Sequence, residues 1–381
     1  MRTLVAMSGG VDSSVAAARL LAAGDEVVGV TLHLWDYPDD GSVRGRCCAP
    51  EDIHDARRVA DRLGFPHYAF DRRALFRDTV VDPFVDAYVG GTTPSPCVRC
   101  NRGVKLPELM RLATELGCDR VATGHYARIE RQGERFELHR ARDRQKDQSY
   151  FLHMLDQATL SRLVFPLGEL DKATVRAQGH ALALPGADKG ESQELCFVPN
   201  GRYDAFVAER AGERLRPGPI VDDSGRPVGT HAGIHGFTLG QRKSLGVALG
   251  RRAYVVGIDA ESGTVQLGER ERLLVAEALL DETSLAPDIE PPFACDVMVR
   301  YRGNGVPARV EAGATRGLVV RFDTPVAAVV PGQFAVFVRG ERVLGGGVIR
   351  ETVAAASEAT NAETKSPATP STPASAPEAS A

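Results

Sequence analysis

The sequence predicts an α/β protein: a doubly wound parallel-sheet domain, then a small linking module, then a C-terminal all-β barrel. Three observations lead there. Short apolar runs alternate with segments of helical periodicity over the first third of the chain, and the first run meets the first helix across a double glycine, Ser8-Gly9-Gly10. From about Pro217 the texture changes to short β-like runs divided by Gly and Pro. Alternation favours parallel strands joined by right-handed helical crossovers, whereas closely spaced short runs favour a sandwich or barrel.

Residues 3–7 form the first strand-like run. Val11, Val15, Ala18 and Ala22 then recur at helical spacing up to Gly24, a residue suited to the left-handed C-terminal cap. Residues 26–32 read as a second strand, 50–63 as a helix closed by Gly64, and 66–70 as a third strand. Residues 106–116 read as a helix closed by Gly117, and 120–123 as another strand. A ligand of such a sheet belongs at the carboxyl ends of its strands. In the linking module, 253–258 and 264–267 are β-like. The barrel runs are 296–301, 317–322, 326–330, 334–338 and 343–349. These divisions place the first domain at 1–204, the linking module at 205–275 and the barrel at 276–350. The remainder, 351–381, is Ala, Ser, Thr, Pro and Glu with Val353 as its one large aliphatic, too little apolar surface to offset ordering entropy; disorder is expected there.

A chain of 381 residues has room for two or three cores. With 43% hydrophobic and 25% charged residues its composition is that of a globular protein, and no run approaches the ~18 apolar residues of a membrane span. The N-terminus enters a strand without a basic stretch and apolar core, so a cytoplasmic protein without a secretory leader is expected. Seven cysteines, two of them as Cys97-x-x-Cys100, fit catalytic, redox or metal chemistry in a reducing compartment better than a disulfide framework. The net charge of −4 argues against non-specific wrapping of nucleic acid, yet residues 99–147 carry 12 Lys/Arg against 8 Asp/Glu. A polyanion has a use for that local excess of +4, while the segment from Glu351 onward is at −3, with one Lys and four Glu.

Ser8-Gly9-Gly10-Val11-Asp12-Ser13-Ser14 is the most informative stretch. Glycines let backbone approach a phosphate, the helix start offers unpaired N–H groups, and the serines add hydroxyl donors. The loop lacks the Gly-Lys-Ser/Thr ending of a Walker A sequence and the Gly-x-Gly-x-x-Gly dinucleotide fingerprint. Ser-Gly-Gly-x-Asp-Ser resembles the pyrophosphate-binding loop of N-type ATP pyrophosphatases, which implies a nucleotide-binding domain that cleaves ATP between its α- and β-phosphates. Asp12 then sits beside the phosphates through Mg²⁺, which takes carboxylate and phosphate oxygens, with Ala6, Met7 and Leu32 framing the adenine.

Cys97-Val-Arg-Cys100 alone has three readings: a redox pair, half a metal site, or two unrelated thiols. Zinc needs a second pair or a Cys/His partner at close spacing, and adjacent Cys47-Cys48 is awkward for binding one ion through both thiolates. Cys196 lies in Ser192-Gln-Glu-Leu-Cys-Phe197; Cys118 and Cys295 sit in apolar or strand-like settings that suit buried small hydrophobes.

Taken in order, the loop, Pro96-Cys-Val-Arg-Cys-Asn101, Gly124-His125-Tyr126, Lys146-Asp-Gln-Ser-Tyr-Phe-Leu152, Ser192-Gln-Glu-Leu-Cys-Phe197 and Gly236-Phe-Thr-Leu-Gly-Gln-Arg-Lys243 resemble the bacterial tRNA-specific 2-thiouridylase family from residue 1 to about 350. The resemblance implies ATP-dependent adenylation of the 2-oxo group of the wobble uridine in tRNAs for Lys, Glu and Gln, followed by replacement of that oxygen with sulfur. It implies Cys100 as nucleophile and Cys196 as persulfide carrier, ending in a Cys100–Cys196 disulfide or in attack by released hydrosulfide. It assigns ATP contacts to Ala6, Met7, Ser8, Gly9, Gly10, Val11, Asp12, Ser13, Leu32 (a methionine in many relatives) and Gly124. It assigns tRNA contacts to His125, Lys146, Asp147, Gln148, Arg300, Tyr301 and Gln333, with Ser95, Pro96 and Cys97 against the target base. Partners implied are tRNA and a sulfur donor, a cysteine desulfurase acting directly or through relay proteins.

One departure stands out. Many relatives have Asp where this chain has Cys97, so Cys97, Cys100 and Cys196 would supply three corners of a [4Fe–4S] cluster with one iron open to hydrosulfide. Two other readings compete: an amidoligase or synthetase of the same loop family acting on a small metabolite, which needs neither Cys100 nor Cys196, and an RNA-binding module with a redox pair, which does not turn over ATP.

Overall fold

The computed structural model describes residues 1–36, 50–187, 195–314 and 316–355. Cys47-Cys48, residues 188–194 of the Cys196 segment and 356–381 of the expected tail lie outside the described residues.

Strand β1 (Arg2–Ala6) leads through helix α1 (Val11–Ala22) to β2 (Glu26–His33), then α2 (Pro50–Leu63) and β3 (His67–Asp71). A helical block follows: α3 (Arg73–Phe76), α4 (Asp82–Val89), α5 (Pro96–Cys100) and α6 (Leu106–Glu115). Next come β4 (Arg120–Ala122), the hairpin β5 (Ala127–Gln132) and β6 (Arg135–Arg140), α7 (Gln157–Arg162), β7 (Leu163–Val164), α8 (Lys172–Ala181) and α9 (Tyr203–Ala211). The sheet order is β3-β2-β1-β4-β7, every pairing parallel, as expected of a doubly wound domain. Leu4, Val5, Val28, Val30 and Val121 are buried, consistent with a parallel sheet covered on both faces. β1 is flanked by β2 on one side and β4 on the other. The loops leaving β1 and β4 therefore lie at a topological switch point, where α/β sheets bind ligands.

The helical block contains two π-helical turns, Arg77–Val81 and Asn101–Lys105, each just ahead of a helix whose second residue is proline, Pro83 in α4 and Pro107 in α6. A proline lacks the N–H for the carbonyl four residues back and crowds it, and widening the preceding turn relieves both. Cys100 thus ends α5 directly before a widened turn.

The linking module is a four-stranded sheet of β8 (Gly218–Val221), β9 (Pro227–His231), β10 (Tyr254–Asp259) and β11 (Thr264–Gly268) in the order β10-β11-β8-β9, around Ile220, Val255, Val265 and Leu267. The barrel comprises β12 (Leu274–Leu285), β13 (Phe293–Met298), β14 (Val306–Ala312), β15 (Leu318–Ala327), β16 (Phe334–Arg339) and β17 (Arg342–Ala354). It closes because β12 pairs with both β15 and β17. Its interior is Val297, Val310, Val320, Phe337 and Ile349.

Three details differ from the sequence expectation. β13 ends at Met298, so 299–301 turn away from the sheet, and Val326 completes β15 instead of opening a strand of its own. β17 runs to Ala354, where Val275↔Ala354 closes its pairing with β12, so 351–354 are strand and not part of a disordered tail. The first domain's hairpin joins the barrel sheet through His139↔Arg342. Among the described residues no helix is long and apolar enough to cross a membrane.

Candidate active site at the sheet switch point

The glycine loop leaves β1 at the switch point and turns into α1. Gly9 has φ +71°, and a Cβ there would stand 2.5 Å from the Asp52 carbonyl of α2. Gly124, in the loop after β4, approaches so closely that a Cβ would lie 2.9 Å from Ser13 N and 3.0 Å from the Asp12 carbonyl carbon. Two loops are thereby pressed together around the start of α1. The Ser13 and Ser14 hydroxyls, expected as anion donors, both donate to Gly10 O at 3.0 Å here, and Ser13 Oγ accepts from Ser8 N at 3.1 Å. Hydroxyls in a first helical turn bond back to the carbonyl three or four residues earlier, so these serines brace the loop. The first-turn N–H groups of α1 remain as anion donors, as at any helix start. Met7, Val11 and Leu32 are buried, and the Met7 backbone is engaged by Val30 O and the Thr31 hydroxyl. Of the residues expected to frame adenine, Ala6 is half-buried at the strand end.

Asp12 lies in the first turn of α1. Tyr126 Oη donates to its Oδ1 at 2.8 Å, and Lys172 Nζ donates to both oxygens at 2.7 Å. Sequence reasoning missed both partners. Tyr126 belonged to a motif already noted; Lys172 carried no local signal.

Cys100 is 4% exposed at the end of α5. Burial pushes its thiol pKa up, against the opposing pull of the Lys105 ammonium and backbone. The Lys105 charge also bears on His125, whose imidazole is held neutral, first by burial and then by that charge. Cys100 and His125 thus both feel the Lys105 charge. Thr123 Oγ1 accepts from His125 N at 3.2 Å and lies 2.7 Å from His125 Nδ1. Thr123 therefore holds the ring through Nδ1, with Nε2 at the opposite edge. Cys196 and its neighbour Leu195 pack against the apolar cluster that contains Cys100. The adjacent Phe197 is anchored against Phe84, Phe206, Phe76 and Trp35 at 5.1–6.2 Å between ring centres.

The barrel grips the cysteine helix from the other side. Gln333 Nε2 donates to Thr93 O and Pro94 O at 2.9 and 3.1 Å, just ahead of Ser95, Pro96 and Cys97. Glu282 pairs with Arg99 and Arg102 at 3.3 and 3.0 Å. Tyr301 lies 4.4 Å from Phe151, whose carbonyl accepts from Asn101 Nδ2, and exposed Arg300 stands beside it in the turn after β13. Of the residues expected at tRNA, these bring Ser95, Pro96, Cys97, Arg300, Tyr301 and Gln333 around one helix, although Ser95 and Pro96 are themselves buried and Gln333 spends its amide donors inside the protein.

The 146–148 stretch divides. Asp147 is only 6% exposed; it accepts from Arg140 Nε, Ala141 N and Ser149 N at 2.7, 3.0 and 3.2 Å. Its carboxylate is thus engaged inside the fold. Gln148 Oε1 accepts from Tyr126 N at 2.9 Å, and Lys146 is half-buried. The iron–sulfur expectation also fails its fit: among the described residues no group of three His, Cys, Asp or Glu lies close enough to hold a metal ion, so Cys97, Cys100 and Cys196 do not assemble as three cluster ligands.

Residues 1–200 match a family model described as tRNA methyl transferase HUP domain, 204–269 one described as its PRC-barrel domain, and 278–349 one described as aminomethyltransferase beta-barrel domain. The chain is 62% identical over 354 residues to the tRNA-specific 2-thiouridylase MnmA of Sorangium cellulosum, covering 92% of each. It is 49% identical over 350 residues to that of Chloroflexus aurantiacus, covering 91% of this chain and 97% of the other.

Proposed function

Because this chain belongs to the tRNA-specific 2-thiouridylase family, we propose that it carries out that reaction with the residues gathered at the switch point. It is a tRNA sulfurtransferase that uses ATP to place sulfur at position 2 of a uridine in tRNA. The proposed target is the wobble uridine of tRNAs for Lys, Glu and Gln. The observation that carries the assignment of residues is the close approach of the loop after β4, at Gly124, to the glycine loop at Asp12 and Ser13.

A carbonyl oxygen leaves poorly, and esterifying it with AMP makes it a good leaving group. The α1 N–H groups hold the phosphates, and uridine O2 attacks the α-phosphorus with loss of pyrophosphate. Asp12 is the residue that would hold Mg²⁺, a cation that takes one or two carboxylates plus substrate phosphates and would supply charge neutralisation there. Neutral His125 offers a hydrogen-bonding ring edge to the RNA without adding charge. The terminal sulfur of a Cys196 persulfide attacks C2 and AMP departs. Cys100 then attacks Cys196 Sγ, the S–S bond breaks toward the base, and the two cysteines end as a disulfide that an external thiol must reduce. Burial keeps Cys100 protonated beforehand, which protects it from premature reaction. The sulfur reaches Cys196 from a cysteine desulfurase, directly or through relay proteins, in the cytoplasm.

The test is pyrophosphate and AMP release with and without unmodified tRNA. Release that requires tRNA, disappears in Asp12→Ala and survives in Cys100→Ala is expected; release independent of tRNA favours a small-metabolite synthetase and overturns the assignment.

A further inference from the structure

The phosphate loop lacks one component that its chemistry calls for. A Walker-type loop ends in a lysine that reaches the β- and γ-phosphates, whereas residues 8–14 contain an acid and no lysine. The fold brings a lysine to the same place from 160 positions away. Lys172 is the first residue of α8, fixed by its N-cap Asp171, which accepts from Thr174 N, and by its own N–H, which donates to Asp143 Oδ2 at 3.1 Å. Helix α8 is seated hard against α1: a Cβ on Gly179 would come within 2.7 Å of Val11 Cγ2. The side chain of Lys172 is 12% exposed and that of Asp12 is 35% exposed, so solvent reaches the carboxylate more than the ammonium.

We propose that Lys172 is the phosphate-gripping lysine of this ATP site, shifting its ammonium from Asp12 toward the β- and γ-phosphate oxygens when the nucleotide enters. The proposal rests on the ATP reading above. An ammonium has three donors and no acceptor, so it serves a carboxylate and a phosphate together. Without it, Asp12 keeps Tyr126 Oη as its side-chain donor and the β- and γ-phosphate oxygens lose a charged donor. The Tyr126 ring, 5.7 Å from Nζ, and the rigid start of α8 keep the ammonium at the mouth while it changes partner.

AMP lacks the phosphates in question, which gives the test its control. The full-length protein is titrated calorimetrically with ATP and with AMP, without tRNA, as wild type, Lys172→Met and Lys172→Arg. A charge-assisted hydrogen bond lost to the β,γ-phosphates weakens ATP by about 10- to 100-fold. AMP is expected to stay within about twofold, and the arginine variant to recover most of the ATP affinity. Unchanged ATP affinity in Lys172→Met overturns the proposal. Parallel weakening of ATP and AMP also overturns it, since Lys172 would then only shape the loop. Wild-type protein that binds no ATP refutes the ATP reading itself, a different outcome from either. Circular dichroism checks folding, and Lys172→Gln replaces the methionine variant if that one is unfolded.

Discussion

Asp147→Ala is expected to cost stability while sparing RNA affinity, the reverse of what a tRNA contact would show. The carboxylate accepts from two backbone N–H groups, Ala141 and Ser149, and from Arg140 Nε, with its side chain 4% exposed against 22% for the arginine. Truncation strands both N–H groups in the interior, at about 1–3 kcal/mol each. Arg140 keeps partial access to water, so its loss adds less. A total of about 3 kcal/mol follows, and Asp147→Asn, which keeps one acceptor oxygen, falls between it and wild type. Urea unfolding followed by circular dichroism measures the loss, and filter binding of unmodified tRNA well below the transition measures affinity. An unfolding midpoint that does not move, combined with a tenfold loss of tRNA affinity, would refute this reasoning.

Gly124→Ala pushes a Cβ to within 3.0 Å of the Asp12 and Ser13 backbone; a misplacement of that kind is expected to weaken ATP by about tenfold or more, and calorimetry showing wild-type affinity would contradict it. Gln333→Leu removes the donors to Thr93 O and Pro94 O, so alkylation of buried Cys100 by iodoacetamide should speed up as the segment ahead of α5 loosens, with tRNA affinity kept within about twofold; an unchanged alkylation rate would show that the clamp has no hold on the helix. His153 is buried, with its pKa pulled down from 6.5 to about 4 chiefly by burial. Its neutral form therefore stabilises the fold above pH 6.5, and that contribution drains away as pH falls toward 4: about 2 kcal/mol is gone by pH 5. Urea titrations at pH 7 and 5 should show a smaller drop in His153→Gln than in wild type, and equal drops would remove His153 from the account.

The nucleotide loop was legible because its chemistry is local: strand, glycines, acid and hydroxyls follow one another, and the structure sets them at the switch point. What the loop residues do was only half legible. Ser13 and Ser14 looked like ligand donors, but back-bonding to Gly10 O is the cheaper use of a hydroxyl in a first helical turn. The helical block before Leu106 was hidden by Pro83 and Pro107, which break the hydrogen-bond pattern that periodicity assumes and which the chain accommodates with π turns. The hairpin of β5 and β6 was hidden by its charge: Arg128, Glu130 and Arg131 mask a weak alternation, and its partner β17 is some 200 positions away, as in the His139↔Arg342 pairing. Lys172 and Glu282 belong to the same class. Each meets its partner only after distant elements have packed, so no spacing in the sequence announces either.

The central claim is that ATP is consumed so that sulfur carried on Cys196 and released by Cys100 displaces a uridine oxygen. Its most direct test is mass spectrometry of nucleosides from unmodified tRNA incubated with the protein, ATP, cysteine and a cysteine desulfurase. The account predicts 2-thiouridine at the wobble position with wild type and none with Cys100→Ala or Cys196→Ala, while Cys100→Ala still releases tRNA-dependent pyrophosphate. Undiminished 2-thiouridine from the doubly substituted protein would contradict it.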